Sequence, residues 1–333
     1  MPELPPLIQA LLDPAAYPEP TRQVALRQTQ MSYVFLTDGY AYKIKKPVDF
    51  GFLDYTTLEK RLACCRKEVE LNRRLCPHAY LDVVPVVSTR EGSRLGGKGE
   101  AAEYAVKMRR LPQEAMMDVL LAAGRVTPEM VAGVAAKLAD FHKKAATGEA
   151  ISRFGGTEAV TANAVENFTQ TEKYIGTALP WHTYQRLKVY TEGFIKTNVP
   201  LFNQRITEGR IRDCHGDLHA AHICFAEEIC IYDCIEFNER FRYCDVASEI
   251  AFLAMDLDRY GRADLSKSFV DAYIAKSGDG GLLHLLNFYK GYRAWVRGKV
   301  ACFQYDDPYI SAEEKEKALA AARRYFELAD SYI

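Results

Sequence analysis

At 333 residues the chain is about twice the usual single-domain length, and its 48% apolar content is ample for a sizeable core, which excludes a disordered protein. The 43 basic residues nearly cancel the 44 acidic ones, so the basic excess of a nucleic-acid binder is missing. No segment reaches the roughly 20 apolar residues that a membrane-spanning helix needs. The opening MPELPPLIQALLDP carries neither the basic start nor the long apolar run of a signal peptide, and nine cysteines are an odd count in a long chain. These features predict a cytoplasmic, reduced, globular protein that binds neither nucleic acid nor membrane.

Residues 1–20 hold six of the 14 prolines and one apolar run, Leu7 to Leu12, which reads as a short helix in an irregular lead-in. From Thr21 the pattern turns strand-like: Val24 and Leu26, then Tyr33 to Leu36, then Tyr40, Tyr42 and Ile44 beyond the hairpin signal Asp38-Gly39. Leu58, Leu62, Cys65, Val69 and Leu75 recur at helical spacing over 57–75, until Pro77 ends the element. Strands follow at Val83–Val87 and Tyr104–Met108, divided by a Gly-rich turn from Glu91 to Gly99. After Pro112 helices dominate. Thr127-Pro128 opens one whose buried stripe is Val131, Val134, Ala135, Leu138 and Phe141. Helices continue over 158–175 and 182–207, a β-like stretch runs from Ile211 to Ile235, and helices resume at 246–260, 264–276 and 281–304. Ser311 and Glu314 make a capping box for the last.

The pattern predicts an α+β chain divided into a lead-in (1–20), a small antiparallel-sheet lobe (21–111) and a larger helical lobe (112–333). A cleft between the lobes is the expected ligand site.

The chemistry concentrates in Cys214-His215-Gly216-Asp217-Leu218-His219-Ala220-Ala221-His222 and in Ile231-Tyr232-Asp233-Cys234-Ile235-Glu236. An HGD turn, a polar side chain five residues on and a second Asp after a strand pair form a layout suited to phosphoryl transfer. One carboxylate orients or deprotonates the attacking hydroxyl, and the other, with a further ligand, holds a divalent metal against nucleotide phosphates. The transferred group carries its charge on oxygens that only metals and cations neutralise.

With these motifs the chain resembles the aminoglycoside phosphotransferase family of kinase-like enzymes. The likeness is closest to a bacterial branch sometimes fused to a P-loop ATP-binding domain, and covers roughly residues 21–305. His215-Gly216-Asp217 matches the catalytic loop, Asp233 the metal-binding Asp and Asp245-Val246-Ala247 the bracing Asp 12 residues later. The resemblance implies a two-lobed protein kinase-like fold and an ATP- and Mg²⁺-dependent transfer to a hydroxyl of a small molecule. It also implies a possible second role, as a catalytically weak nucleotide-binding module that partners a P-loop ATPase. One departure stands out: His222 occupies the position where the family usually has Asn. An imidazole prefers softer metals than a carbonyl oxygen does, which points towards Mn²⁺ or a weakened activity, and Glu236 is the carboxylate available to compensate.

A kinase-like site also needs a strand lysine on the phosphates and a helix glutamate to tether it. Lys43 and Lys45 share one face of a strand, and the following helix carries Glu68 and Glu70. The resemblance favours Lys43 with Glu68 and leaves Lys45 as the second choice. The connection Gln28 to Ser32 contains no Gly, so phosphate contacts there fall to backbone amides and to the hydroxyls of Thr29 and Ser32. Tyr104 to Leu111 sits where the inter-lobe hinge should fall, with Met108 and Arg110 placed to meet adenine; a plain edge strand would look the same.

Rival readings are weaker. His215, His219 and His222 have HxxxHxxH spacing, as in a zinc site, but His-Gly-Asp disfavours the continuous helix such a site requires. Cys230 and Cys234 flank Tyr232 as buried free cysteines do. His142 reads as a core or capping residue, and Asp245 as a loop brace or helix cap. Arg293 and Arg297, four apart on a helix, are either a solvated basic face or an anion-recognising wall of the substrate pocket. The latter would disfavour polycationic aminoglycosides.

Overall fold

The computed structural model describes residues 4–89 and 92–333. The chain opens with helix α1 (Pro6–Ala10), followed by strands β1 (Ala25–Gln28), β2 (Ser32–Leu36) and β3 (Tyr40–Lys45), helix α2 (Leu58–Asn72), and strands β4 (Tyr80–Thr89), β5 (Gly92–Leu95) and β6 (Ala101–Arg109). The strands form one antiparallel sheet in the order β1-β2-β3-β6-β4-β5. β5 occupies part of the stretch expected to be a turn. The turn itself tightens to 96–99, where Gly96, Gly97 and Gly99 take positive φ. Glu91, named as its start, lies outside the described residues.

The period-two alternation of β3 separates its side chains cleanly. Tyr42 and Ile44 face a core built with Phe35, Val86 and Ala105 and with Ile8, Leu11 and Tyr17 of the lead-in, so residues 4–20 cover the sheet. Lys43 and Lys45 face the other way, towards α2, whose Cys65 and Val69 pack with Tyr80 and Val106. Thr57 caps α2 by accepting from the Lys60 amide.

Beyond the sheet come α3 (Met117–Ala122), α4 (Pro128–Lys144), α5 (Glu149–Ser152), α6 (Thr157–Thr171), α7 (Trp181–Thr197) and α8 (Val199–Thr207). The helix expected over 182–207 breaks at Asn198 because Pro200 supplies no amide donor and sits in the first turn of α8 instead. Three short strands replace the single β-like stretch: β7 (Ile211–Asp213), β8 (Ile223–Phe225) and β9 (Ile229–Ile231). Next are α9 (Glu239–Arg242), β10 (Tyr243–Asp245), α10 (Val246–Arg259), α11 (Ala263–Ser277), α12 (Leu283–Tyr305) and α13 (Ala312–Asp330). The capping box at Ser311 and Glu314 is present.

The chain divides into two compact units. One joins 2–119 to 221–239; the other holds 120–220 and 240–333. The β8–β9 hairpin therefore groups with the sheet, whereas β7 pairs with β10 in the helical unit. Within the sheet unit Cys76 and Cys230 form a disulfide. This corrects the expectation that all nine cysteines are reduced and that Cys230 is a free core thiol. Its partner lies 154 residues away, a pairing that local spacing cannot reveal. Cys234 is a buried thiol, as expected. Among the described residues no helix is long and apolar enough to cross a membrane.

Candidate active site

In the sheet unit, Lys43 reaches Glu68 Oε1 at 2.9 Å and Asp233 Oδ1 at 2.6 Å, joining β3, α2 and the segment after β9. Lys45 reaches Glu68 Oε2 at 2.7 Å and also pairs with Glu236 and with the Tyr55 hydroxyl. Tyr55 donates its own hydroxyl proton to Glu236. Glu68 is thus shared by both lysines, so the alternatives left open by sequence are both occupied. It is 0% exposed and Lys45 1%, so each charge depends on its partners, because an isolated buried charge costs several kcal/mol. Burial works against both ammonium groups, yet Asp233 and Glu68 around Lys43, and Glu236 and Glu68 around Lys45, hold them well above their ordinary values. Burial likewise opposes the Glu68 carboxylate, and the two lysines more than offset it.

The segment carrying Asp233 is pinned from several sides. The Asp233 amide donates to the Tyr80 hydroxyl (3.2 Å) and the Cys234 amide to Asn72 Oδ1 (2.8 Å). Asp233 takes φ +63°, which Asp tolerates better than most residues. His222 Nε2 lies 3.6 Å from Asp233 Oδ2, so these two expected metal ligands share a site. Glu236, the third, is held by Lys45 and Tyr55. A carboxylate beside an imidazole suits a divalent cation, and the imidazole shifts the set towards the softer end.

Ser32 starts β2 and is buried, and its amide donates to the Thr29 hydroxyl (3.0 Å), so Thr29 shapes this turn. Met108 lies in β6, which is flanked by β3 and β4; the edge-strand alternative is thereby corrected. The Arg109 and Arg110 amides donate to the carbonyls of Ala79 and Gly39, and the Arg110 guanidinium donates to the Thr37 carbonyl. Adenine contacts in this segment would therefore fall to groups other than those two amides.

In the helical unit the HGD turn follows β7, with Gly216 at φ +88°, a conformation glycine adopts without a Cβ penalty. Its amides point at one carboxylate: Glu249 Oε1 accepts from His215 N (2.8 Å) and Gly216 N (2.7 Å), and Glu249 Oε2 meets His142 Nε2 (2.8 Å). Burial would raise the Glu249 pKa, but His142, His215 and the Gly216 amide overcome it and hold the group at about 2. Seven residues on, along the same face of α10, Asp256 accepts from the Ala220 amide (2.9 Å). Sequence reasoning missed both acids. The available signal was two carboxylates seven apart, Glu249 and Asp256, flanking the apolar run Ile250 to Met255.

Asp217 is partly exposed, with His219 Nε2 3.6 Å from its Oδ2. The His215 ring accepts from the Asp217 amide (3.3 Å). Asp245 caps α10 through the Ala247 amide and takes a two-pronged contact from Arg205, which also grips Asp279. His142 is a core residue between Glu249 and Tyr273, as expected.

Neither arginine of α12 lies on a solvated face. Arg293 is buried, donating to the Gly216 carbonyl (3.2 Å) and to Ser248, with its guanidinium over the Phe252 ring. It thereby supports the HGD turn. Arg297 is half-buried beside His219 (3.4 Å). Burial works against its charge, but Tyr325, Asp217 and Asp256 raise its pKa above the ordinary value.

No model of a known protein family matches the chain. Uncharacterised proteins of Mycobacterium bovis and Mycobacterium tuberculosis are 32% identical over 311 residues, 93% of this chain. The chain spans about 60% of the length of these relatives. Among solved structures, a choline/ethanolamine kinase family protein from Mesorhizobium loti aligns with TM-score 0.52 and 11% identity, covering 93% of each chain. Aminoglycoside 2'-phosphotransferase-IIIa in its GDP complex aligns with TM-score 0.51 and 13% identity, over 92% of this chain and 93% of that one. An aminoglycoside phosphotransferase from Alicyclobacillus acidocaldarius gives 0.50 and 14%, over 100% and 95%. The fold is therefore the α+β, two-lobed protein kinase-like fold, and these neighbours are consistent with the aminoglycoside phosphotransferase family that the motifs resemble.

Proposed function

We propose that the chain is a small-molecule kinase of the aminoglycoside phosphotransferase type, moving the γ-phosphoryl group of ATP to a hydroxyl. The observation that supports this best is Lys43, held by Glu68 on one side and Asp233 on the other although these residues lie 25 and 190 positions away in sequence. In this reading Lys43 binds phosphate oxygens and Glu68 fixes its direction. Asp233 and His222 hold a divalent cation, Mg²⁺ or Mn²⁺, which when bound neutralises phosphate charge. Asp217 orients the acceptor hydroxyl and takes its proton, and the buried His215 ring and the Glu249 cradle keep the turn in shape. Arg297, close enough to feel the Asp217 charge, is the residue of the expected anion wall that remains placed to meet an acceptor.

The decisive experiment uses two variants. Asp217→Asn abolishes turnover of ATP with an acceptor panel, a loss of roughly a hundredfold or more, yet leaves nucleotide affinity intact. Asp233→Asn weakens metal-dependent nucleotide binding. Full activity in both would sink the assignment.

A second reading is a nucleotide-binding module that serves a P-loop ATPase. His222 in place of the family's usual Asn favours it, as does the extra length of the mycobacterial relatives. Metal-dependent ATP binding by the wild type, with no phosphoryl transfer to any acceptor, would select it.

A further inference from the structure

Glu236 sits three residues beyond Asp233, and sequence alone makes it a metal ligand. Its observed contacts argue otherwise. Its carboxylate accepts from the Lys45 ammonium and from the Tyr55 hydroxyl, both buried and both on the β3-to-α2 stretch. Lys45 also holds Glu68 Oε2, the oxygen that Lys43 leaves unused. The cluster therefore contains two ammonium groups and three carboxylates, arranged as a chain from Asp233 through Lys43, Glu68 and Lys45 to Glu236. Asp233 and Glu236 are its two ends, and they also bracket one short, irregular segment of backbone. Side-chain exposure falls from 38% at Asp233 through 16% at Lys43 to 0% at Glu68 and stays at 5% or less at Lys45 and Glu236, so the Asp233 end faces solvent and the rest of the chain is largely covered.

We propose that Lys45, Glu236 and Tyr55 form a buried anchor that positions the Asp233 segment, and that Glu236 is a positioning residue rather than a metal ligand. A carboxylate that already accepts from a buried ammonium and a buried hydroxyl would have to leave Lys45 half-paired in order to reach a metal, and unpairing a buried charge is costly. Lys45 has a further consequence for Lys43. Because it answers one oxygen of Glu68, Lys43 need not neutralise Glu68 alone, and its ammonium stays available to phosphate oxygens without stranding a buried carboxylate. The strand thus uses two lysines for separate tasks, Lys43 for the ligand and Lys45 for the frame. This rests on the kinase reading above and specifies which residues of that site touch the metal.

The test is a Mn²⁺ titration of the full chain, with a non-hydrolysable ATP analogue present, following free Mn²⁺ by electron paramagnetic resonance. Metal-free binding of the analogue is measured in parallel by calorimetry. Lys45→Met, Glu236→Gln and Tyr55→Phe each raise the Mn²⁺ dissociation constant, about tenfold for the first two and a few-fold for the third. Glu236→Gln and Tyr55→Phe change metal-free nucleotide affinity less than twofold, whereas Lys45→Met also lowers it, because Lys43 is then left to neutralise Glu68 alone. The Lys45→Met/Glu236→Gln double variant is no weaker than the worse single, because the two side chains act as one unit. If Glu236 is a ligand, Glu236→Gln weakens Mn²⁺ binding while Lys45→Met and Tyr55→Phe leave it unchanged or tighter, and the proposal is overturned. Should Lys45→Met fail to fold, Tyr55→Phe, which deletes one hydroxyl, decides alone. Failure of the kinase reading has a different signature: wild type and Asp233→Asn then bind Mn²⁺ equally poorly, whatever the anchor variants do.

Discussion

Replacing Glu249 by Gln should loosen the HGD turn at a cost that depends on pH. Glu249 is buried and its pKa falls from an ordinary 4.5 to about 2. At about 1.36 kcal/mol per unit, that difference is worth about 3 kcal/mol at neutral pH. Glutamine keeps the shape but removes the charge, and its amide group would confront at least one of the donors on His215, Gly216 or His142. Because the folded pKa is depressed, the stabilisation is complete above 4.5 and drains away as pH falls towards 2. At pH 3 less than half of it, on the order of 1 kcal/mol, should remain.

Urea unfolding followed by circular dichroism measures this. With a slope of about 3 kcal/mol per molar, the Glu249→Gln midpoint should fall by about 1 M at pH 7 and by less than half that at pH 3. Hydrogen exchange at the His215 and Gly216 amides should accelerate at pH 7, since both lose a charged acceptor. A midpoint unchanged at pH 7, or a gap of the same size at pH 3, would refute the carboxylate's role as the acceptor that holds the turn.

Arg205→Met strands the buried carboxylates of Asp245 and Asp279 and should cost about 3–5 kcal/mol, whereas Arg205→Lys, which keeps the charge but loses the fork, should cost less; thermal melting ranks the two. The Cys76–Cys230 disulfide closes a separation of 154 residues, worth about 5 kcal/mol by chain entropy, so a Cys76→Ser/Cys230→Ser variant should melt at lower temperature than the oxidised protein. Alkylation of denatured, unreduced protein followed by mass spectrometry should label seven thiols, and labelling of all nine would show the bond absent.

The elements legible in the sequence were those with a local cause. The Asp38-Gly39 hairpin, the Thr127-Pro128 start and the Ser311–Glu314 box each carry their explanation within a few residues, and each is found in place. So is the separation of Lys43 and Lys45 from Tyr42 and Ile44, because strand alternation is strictly local. What escaped was non-local. The Cys76–Cys230 bond, the contact of Tyr55 with Glu236 and the grouping of 221–239 with the sheet unit all join segments more than 100 residues apart, and no periodicity encodes them. Glu249 and Asp256 fall between these cases. Their spacing on α10 was visible, but only the amides they accept from explain why acids stand at both ends of a buried apolar run.

The place of Arg293 changes what charge can say about the acceptor. Two guanidinium groups four residues apart suggested a wall that would repel a polycation. Arg293, however, is committed to the Gly216 carbonyl, to Ser248 and to the face of Phe252, so its charge supports the turn that carries Asp217. In the proposed reading electrostatic discrimination at the acceptor falls to Arg297, whose neighbours include the carboxylates of Asp217 and Asp256 and which is therefore partly offset already. A single offset cation is a weaker barrier to an amine than two free ones, and it still offers a fork to a carboxylate or phosphate. Kinship of fold does not choose between these acceptors, because the same fold serves a choline/ethanolamine kinase family protein and aminoglycoside phosphotransferases alike. In the proposed reading the choice lies in the side chains around Asp217, where Arg297 offers a fork to an anionic acceptor while Asp217 and Asp256 offset part of its charge.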